Sequence, residues 1–212
     1  MKNANSGILK KIENFWYYYK WQTIIIIVVV LSLYTFISSG IEKKEPSDVE
    51  ILSVYSVFIT DKEVDFKSEF LDLLQDADQN GEINIAKKEL YITAKGDSEN
   101  DALDITKFQN SISNSISDLI LLDEYNFERF SQKDYYEDLS KYIDVAKFNK
   151  ENVIYRNEKP VAIRLRKSSF LKNAEFKTDN VYAGIMFVPE NADETLLKKR
   201  ENAAKILLEL TK

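Results

Sequence analysis

From Thr23 to Ile37 the chain reads TIIIIVVVLSLYTFI, an uncharged apolar run of about 19 residues when Trp21 and Ser39 are taken as its ends. A helix of that length crosses the hydrocarbon layer of a bilayer at a rise of about 1.5 Å per residue. No second run of this kind follows, so the sequence predicts one transmembrane helix (21–39), a preceding juxtamembrane segment (1–20), a tether (40–48) and one folded body (49–212). Glu42 to Asp48 is charged and contains Pro46, which suits a tether. A cleaved signal peptide is the competing reading. Its apolar region would be shorter and would end in a small-residue site, for which Ser38-Ser39-Gly40 is the only local match.

Flanking charge orients the span. Lys2, Lys10, Lys11 and Lys20 precede it, whereas Lys43 and Lys44 follow among Glu42 and Glu45, a bias that predicts a cytoplasmic N-terminus and an extracytoplasmic body at the cell membrane. Trp16, Tyr17, Tyr18, Tyr19 and Trp21 crowd the entry, where amphipathic rings favour the headgroup layer. Ile8, Leu9, Ile12, Phe15, Trp16 and Tyr19 recur at helical spacing, as in a short interfacial helix.

Beyond residue 45 the chain carries 23 basic and 32 acidic residues, a net charge of −9. Nucleic acid is a poor partner for such a body, because binding it requires a basic face that displaces counterions. The chain has no histidine and no cysteine, which removes Ser-His-Asp and Cys-His catalysis, thiol redox chemistry and the common zinc ligands. With five glycines no phosphate-cradling loop can be named either. Carboxylate-only chemistry remains formally open, but no pair stands out, and the expectation is a protein without catalysis.

Within the body, Val49 to Thr60 reads as a buried first strand. Phe66, Phe70, Leu73 and Leu74 form a helical stripe, Ile83 to Ala94 returns to strand character, and Leu103, Ile105, Phe108 and Ile112 lie in a second helical stretch. Asp118 to Leu122 suits a central parallel strand. This β-α-β-α-β alternation predicts a parallel sheet with crossover helices, hence a single three-layer α/β domain. Short helices at Phe127 to Phe130 and Leu139 to Ile143 follow, then a hairpin of Val153 to Tyr155 and Val161 to Leu165, a strand from Val181 to Val188, and a closing helix with Leu196, Leu197, Ala203, Ala204, Leu207, Leu208 and Leu210 inside and the charged Lys198 to Glu201 in solvent.

Residues from Ser117, SDLILLDEYNFERFSQKDYYEDLSKYI, resemble a stretch of the extracellular solute-binding proteins of ABC importers, with Asp118, Asp123, Phe127, Asp138 and Leu139 in matching places. VIYRNEKPVAIRL (153–165) is similar to the hairpin that follows in that family, and VYAGIMFVPENADETLLKKRENAAKILLEL to its return strand and closing helix. The resemblance implies one lobe of a solute-binding protein, since about 15 residues between Leu165 and Val181 leave no room for a second lobe. The chain departs from the family in carrying the membrane helix in place of the lipid-modified cysteine, and the expected role is a binding or interaction module that contacts another envelope protein or a small solute, or else an importer accessory that hands a solute to a permease.

Two constellations are candidate sites. Asp76-Ala-Asp78-Gln-Asn80-Gly81-Glu82-Ile83-Asn84 fits the first nine positions of a calcium loop, in which Asp76, Asp78, Asn80 and Glu82 offer oxygens at alternate positions around a hard cation. Lys87 stands where a bidentate acid belongs, so Ca²⁺ would need Glu89 or another acid nearby. The competing reading is an Asx-rich turn leading to an edge strand. Aromatics cluster at Tyr125, Phe127, Phe130, Tyr135, Tyr136 and Tyr142; Tyr125 and Phe127, just past a strand's carboxyl end, are the candidate ligand contacts, with helix packing as the competing reading.

Overall fold

The computed structural model of the protein describes residues 15–32, 46–56, 69–93, 99–130, 135–166 and 180–212. These fall into two units, residues 1–45 and residues 46–212. In the first, helix α1 (Phe15–Ser32) is long and apolar enough to cross a membrane by length and composition. It extends upstream of the expected span and takes in the aromatic entry residues, which are exposed along it. The proposed interfacial residues before Phe15 and the end of the span beyond Ser32 lie outside the described residues.

The second unit is a mixed α/β domain. Its elements are β1 (Val49–Tyr55), β2 (Ile85–Tyr91), α2 (Glu99–Ser113), β3 (Leu119–Asp123), α3 (Glu124–Phe130), β4 (Val153–Arg156), β5 (Lys159–Arg166), β6 (Asn180–Ile185) and α4 (Glu194–Leu210), with 3₁₀ turns at Leu71–Leu73, Leu139–Lys141, Val145–Lys147 and Lys150–Asn152. One six-stranded sheet runs β2-β1-β3-β6-β5-β4. Strands β2, β1 and β3 are parallel, in register at Val49↔Ile85 and Ile51↔Leu119, whereas β6, β5 and β4 alternate antiparallel. The expected parallel sheet is therefore half the sheet. The antiparallel β4–β5 pair is the hairpin that the sequence suggests, since a parallel return needs a crossover of a dozen or more residues and Asn157-Glu158 alone join these two strands. Both turn residues have positive φ, 47° and 65°, the signature of a two-residue hairpin turn that matches strand twist.

Apolar residues alternate between the two faces, as period 2 requires. Val49, Ile51, Leu119, Leu121, Ala183 and Ile185 pack with Ala203, Ala204, Leu207 and Leu210 of α4, together with Phe70, Leu74, Leu139 and Ile143. Leu52, Val54, Ile120, Leu122, Tyr182 and Met186 pack with Phe108 and Ile112 of α2 and Phe127 and Phe130 of α3. Strand β3 is buried at every position, which explains its uninterrupted apolar run. The connection after β1 joins the first face and those after β2 and β3 the second.

Burial sorts the faces of α2 and α4 residue by residue, and on α4 the sorting differs from the sequence reading. On α2 the inward stripe runs Asp101, Ile105, Phe108 and Ile112, while Leu103, about 200° around the helix from Asp101, is exposed. On α4, Leu197 and Leu208 face outward, and Arg200, expected in solvent with its charged neighbours, is fully buried. Its carboxylate partner, described below, outweighs the amphipathic pattern.

Close packing gives a direct test at Gly184. A Cβ there would meet Tyr136 Cδ1 at 2.6 Å, Tyr136 Cε1 at 2.8 Å and the Val161 carbonyl oxygen at 2.9 Å. Gly184→Ala is expected to cost about 1–3 kcal/mol by overpacking, read as a lowered urea midpoint of the domain. An unchanged midpoint would mean that the Tyr136 ring is free to move.

Candidate functional site

At the amino edge of the parallel strands, Asp48 enters β1 fully buried. Its Oδ1 accepts from the Ala77 amide at 2.6 Å and its Oδ2 from the Asn84 amide at 2.7 Å. These bonds draw the 76–84 loop onto the start of β1. Within the loop, Asp76 Oδ2 accepts from the Gly81 amide at 2.8 Å, Asp78 Oδ1 from the Asn80 amide at 3.2 Å, and Asn80 Oδ1 from the Glu82 amide at 2.8 Å. Gln79 and Gly81 take positive φ of 59° and 88°, which closes the turn. The Gly81 amide above all holds the Asp76 carboxyl below its ordinary range.

The result is a group of three carboxylates, Asp48, Asp76 and Asp78, each offering an oxygen within 4.8 Å of the others. Of the predicted ligands, the fold brings Asp76 and Asp78 together. Asn80 spends its amide on Glu82 and on Asp78 Oδ2 at 3.1 Å, and Glu82 is exposed outside the group. Lys87 pairs with Glu89 at 2.6 Å, so the third acid is Asp48, supplied from far upstream in sequence. No local motif could name it; its signal was only its place before the first strand. Three carboxylates suit a hard, oxygen-seeking cation, with carbonyls or water completing six to eight ligands.

Beside this loop, α4 is pinned by polar groups. Asn202 Nδ2 donates to the carbonyls of Asp48 at 3.1 Å and Gln75 at 2.8 Å, and its Oδ1 accepts from the Gln75 amide at 3.0 Å. Two residues earlier on α4, the Arg200 guanidinium forms a buried ion pair with Asp118, whose other oxygen accepts from the Glu50 amide at 2.6 Å. Burial pushes the Asp118 carboxyl up to about 6 against the opposing pull of Arg200, and it lowers Arg200 in turn. Both shifts mark a pair held at the cost of desolvation.

At the carboxyl edge, β1 and β3 are neighbours whose following segments leave on opposite faces of the sheet, the switch point at which open α/β sheets place ligands. Asp123 stands there. Its Oδ2 accepts from the Ser56 amide and hydroxyl at 2.5 Å each, and its Oδ1 from the Asn126 amide and side-chain Nδ2 at 2.9 Å each. Asn126 Nδ2 also reaches the Ile92 carbonyl at 3.3 Å, so one carboxylate and one amide tie together the ends of all three parallel strands. Phe127 is buried, its ring stacked on Tyr182 at 4.1 Å, and the Arg164 guanidinium lies 5.2 Å from the same Tyr182 ring. Tyr125 is half-buried. Phe130, Tyr135 and Tyr136 join the same core, whereas Tyr142 packs on the opposite face.

No family model, no curated protein and no solved structure matches the chain.

Removing one member of the α4 pin is expected to be costly. Asp118→Asn or Arg200→Met should each lose about 3–5 kcal/mol, because a buried charge is left uncompensated, whereas the double variant should recover a large part of that loss. Urea unfolding of the four proteins decides it: additive single-site losses would mean that the two groups act independently.

Proposed function

We propose that the chain is a membrane-anchored extracytoplasmic binding or interaction module, similar to one lobe of a solute-binding protein and without catalysis. The observation that carries this reading is the conjunction of the apolar helix Phe15–Ser32 with one α/β unit whose parallel strands form a switch point. The lysine bias before the span supports the orientation, with the body outside. The absence of histidine and cysteine supports recognition rather than reaction. A small solute or another envelope protein is the proposed partner class, and the excess of acid argues against nucleic acid. Tyr125, half-buried, and Phe127, its ring stacked on Tyr182, are the two candidate ligand contacts.

Topology is tested with protease added to intact protoplasts. Loss of everything beyond about residue 45 is expected for a span of this length and orientation; a protected full-length chain would overturn the orientation, and a mature protein starting near Gly40 would replace the anchor by a signal peptide. Role is tested by comparing growth of a deletion strain on single nutrients with purification of the chain from solubilised membranes. A growth defect confined to one solute class would favour the importer accessory, and a co-purifying envelope protein with normal growth would favour the interaction module.

A second reading concerns the acidic loop. We propose that it takes Ca²⁺ at Asp76 and Asp78 with Asp48 as the third carboxylate, supported by the convergence of these three oxygens. With Lys87 in place of a bidentate acid the shell lacks two strong ligands, which puts the expected affinity at about millimolar. Titration calorimetry of the 46–212 domain should give a saturable heat that Asp78→Ala abolishes. Equal heats, or none in either protein, would leave the loop as a turn.

A further inference from the structure

We draw no further inference here: the strongest candidate, the cavity of about 90 Å³ beside α2 lined by Phe108, Gln109, Ile112, Ser113, Phe130 and Tyr135, is a small apolar depression, and nothing in the structure shows what covers it.

Discussion

The buried pair between Arg200 and Asp118 sets the relation of the closing helix to the sheet. Apolar packing alone tolerates a helix sliding along a sheet face, because Leu207 or Ala203 would find other aliphatic neighbours. An ion pair with both partners essentially inaccessible does not, since displacement leaves two charges in a low-dielectric interior. Asp118 also accepts from the Glu50 amide, so the same carboxylate joins the starts of β1 and β3. Asn202 adds a second anchor on α4 by bridging Asp48 and Gln75. Helix position and strand register are thereby fixed at one edge of the sheet by three polar side chains.

A wider pattern follows. The acidity of the domain looks at first like solubilising surface charge, yet much of it works on the backbone. Asp48, Asp118 and Asp123 each accept from main-chain amides where strands begin or end, and Asp101 and Asp104 of α2 accept from Thr93 and Tyr91 along the outer edge of β2. Amides at strand ends and sheet edges have no ladder partner, and leaving them buried and unpaired costs about 1–3 kcal/mol each. Carboxylates answer that need with strong, charge-assisted bonds. The two such bonds to Thr93 and Tyr91 also occupy an edge that would otherwise invite pairing with another strand.

How much of this was legible depended on whether the signal was local. The strand positions were, because Val, Ile and Leu runs such as 119–122 admit few other readings, and so was the hairpin at Asn157. The direction of β6 was not, since VYAGI carries no mark of parallel or antiparallel pairing; that is decided by which edge the preceding chain can reach. Arg200 was misread because an arginine among Lys198, Lys199 and Glu201 has the pattern of a solvated face, and its partner lies far upstream. On α2 the inward place beside Ile105 is held by Asp101, an acid whose role is set by Thr93 and leaves no mark in the spacing of apolar residues. In the acidic loop, Asp76 and Asp78 were visible by spacing, while Asp48 was reachable only once the fold had brought β1 beside the loop.

That convergence bears on what the loop can do. Asp48 is committed twice over, through Ala77 and Asn84, so it holds the loop in place whether or not a cation is near. A site stitched in advance spends little free energy on ordering when a ligand arrives, and its affinity is then limited by the number and charge of its donors. Asp78 differs from Asp48 in kind. It accepts from the Asn80 amide and side chain within the loop, and the side chain is partly open to solvent. Loss of the Asp48 carboxylate would therefore disturb the start of β1 together with any bound cation, whereas loss of Asp78 would remove an oxygen from the group and leave the Asp48 bonds standing. Asp78 is the residue at which the proposed ion binding and folding would separate.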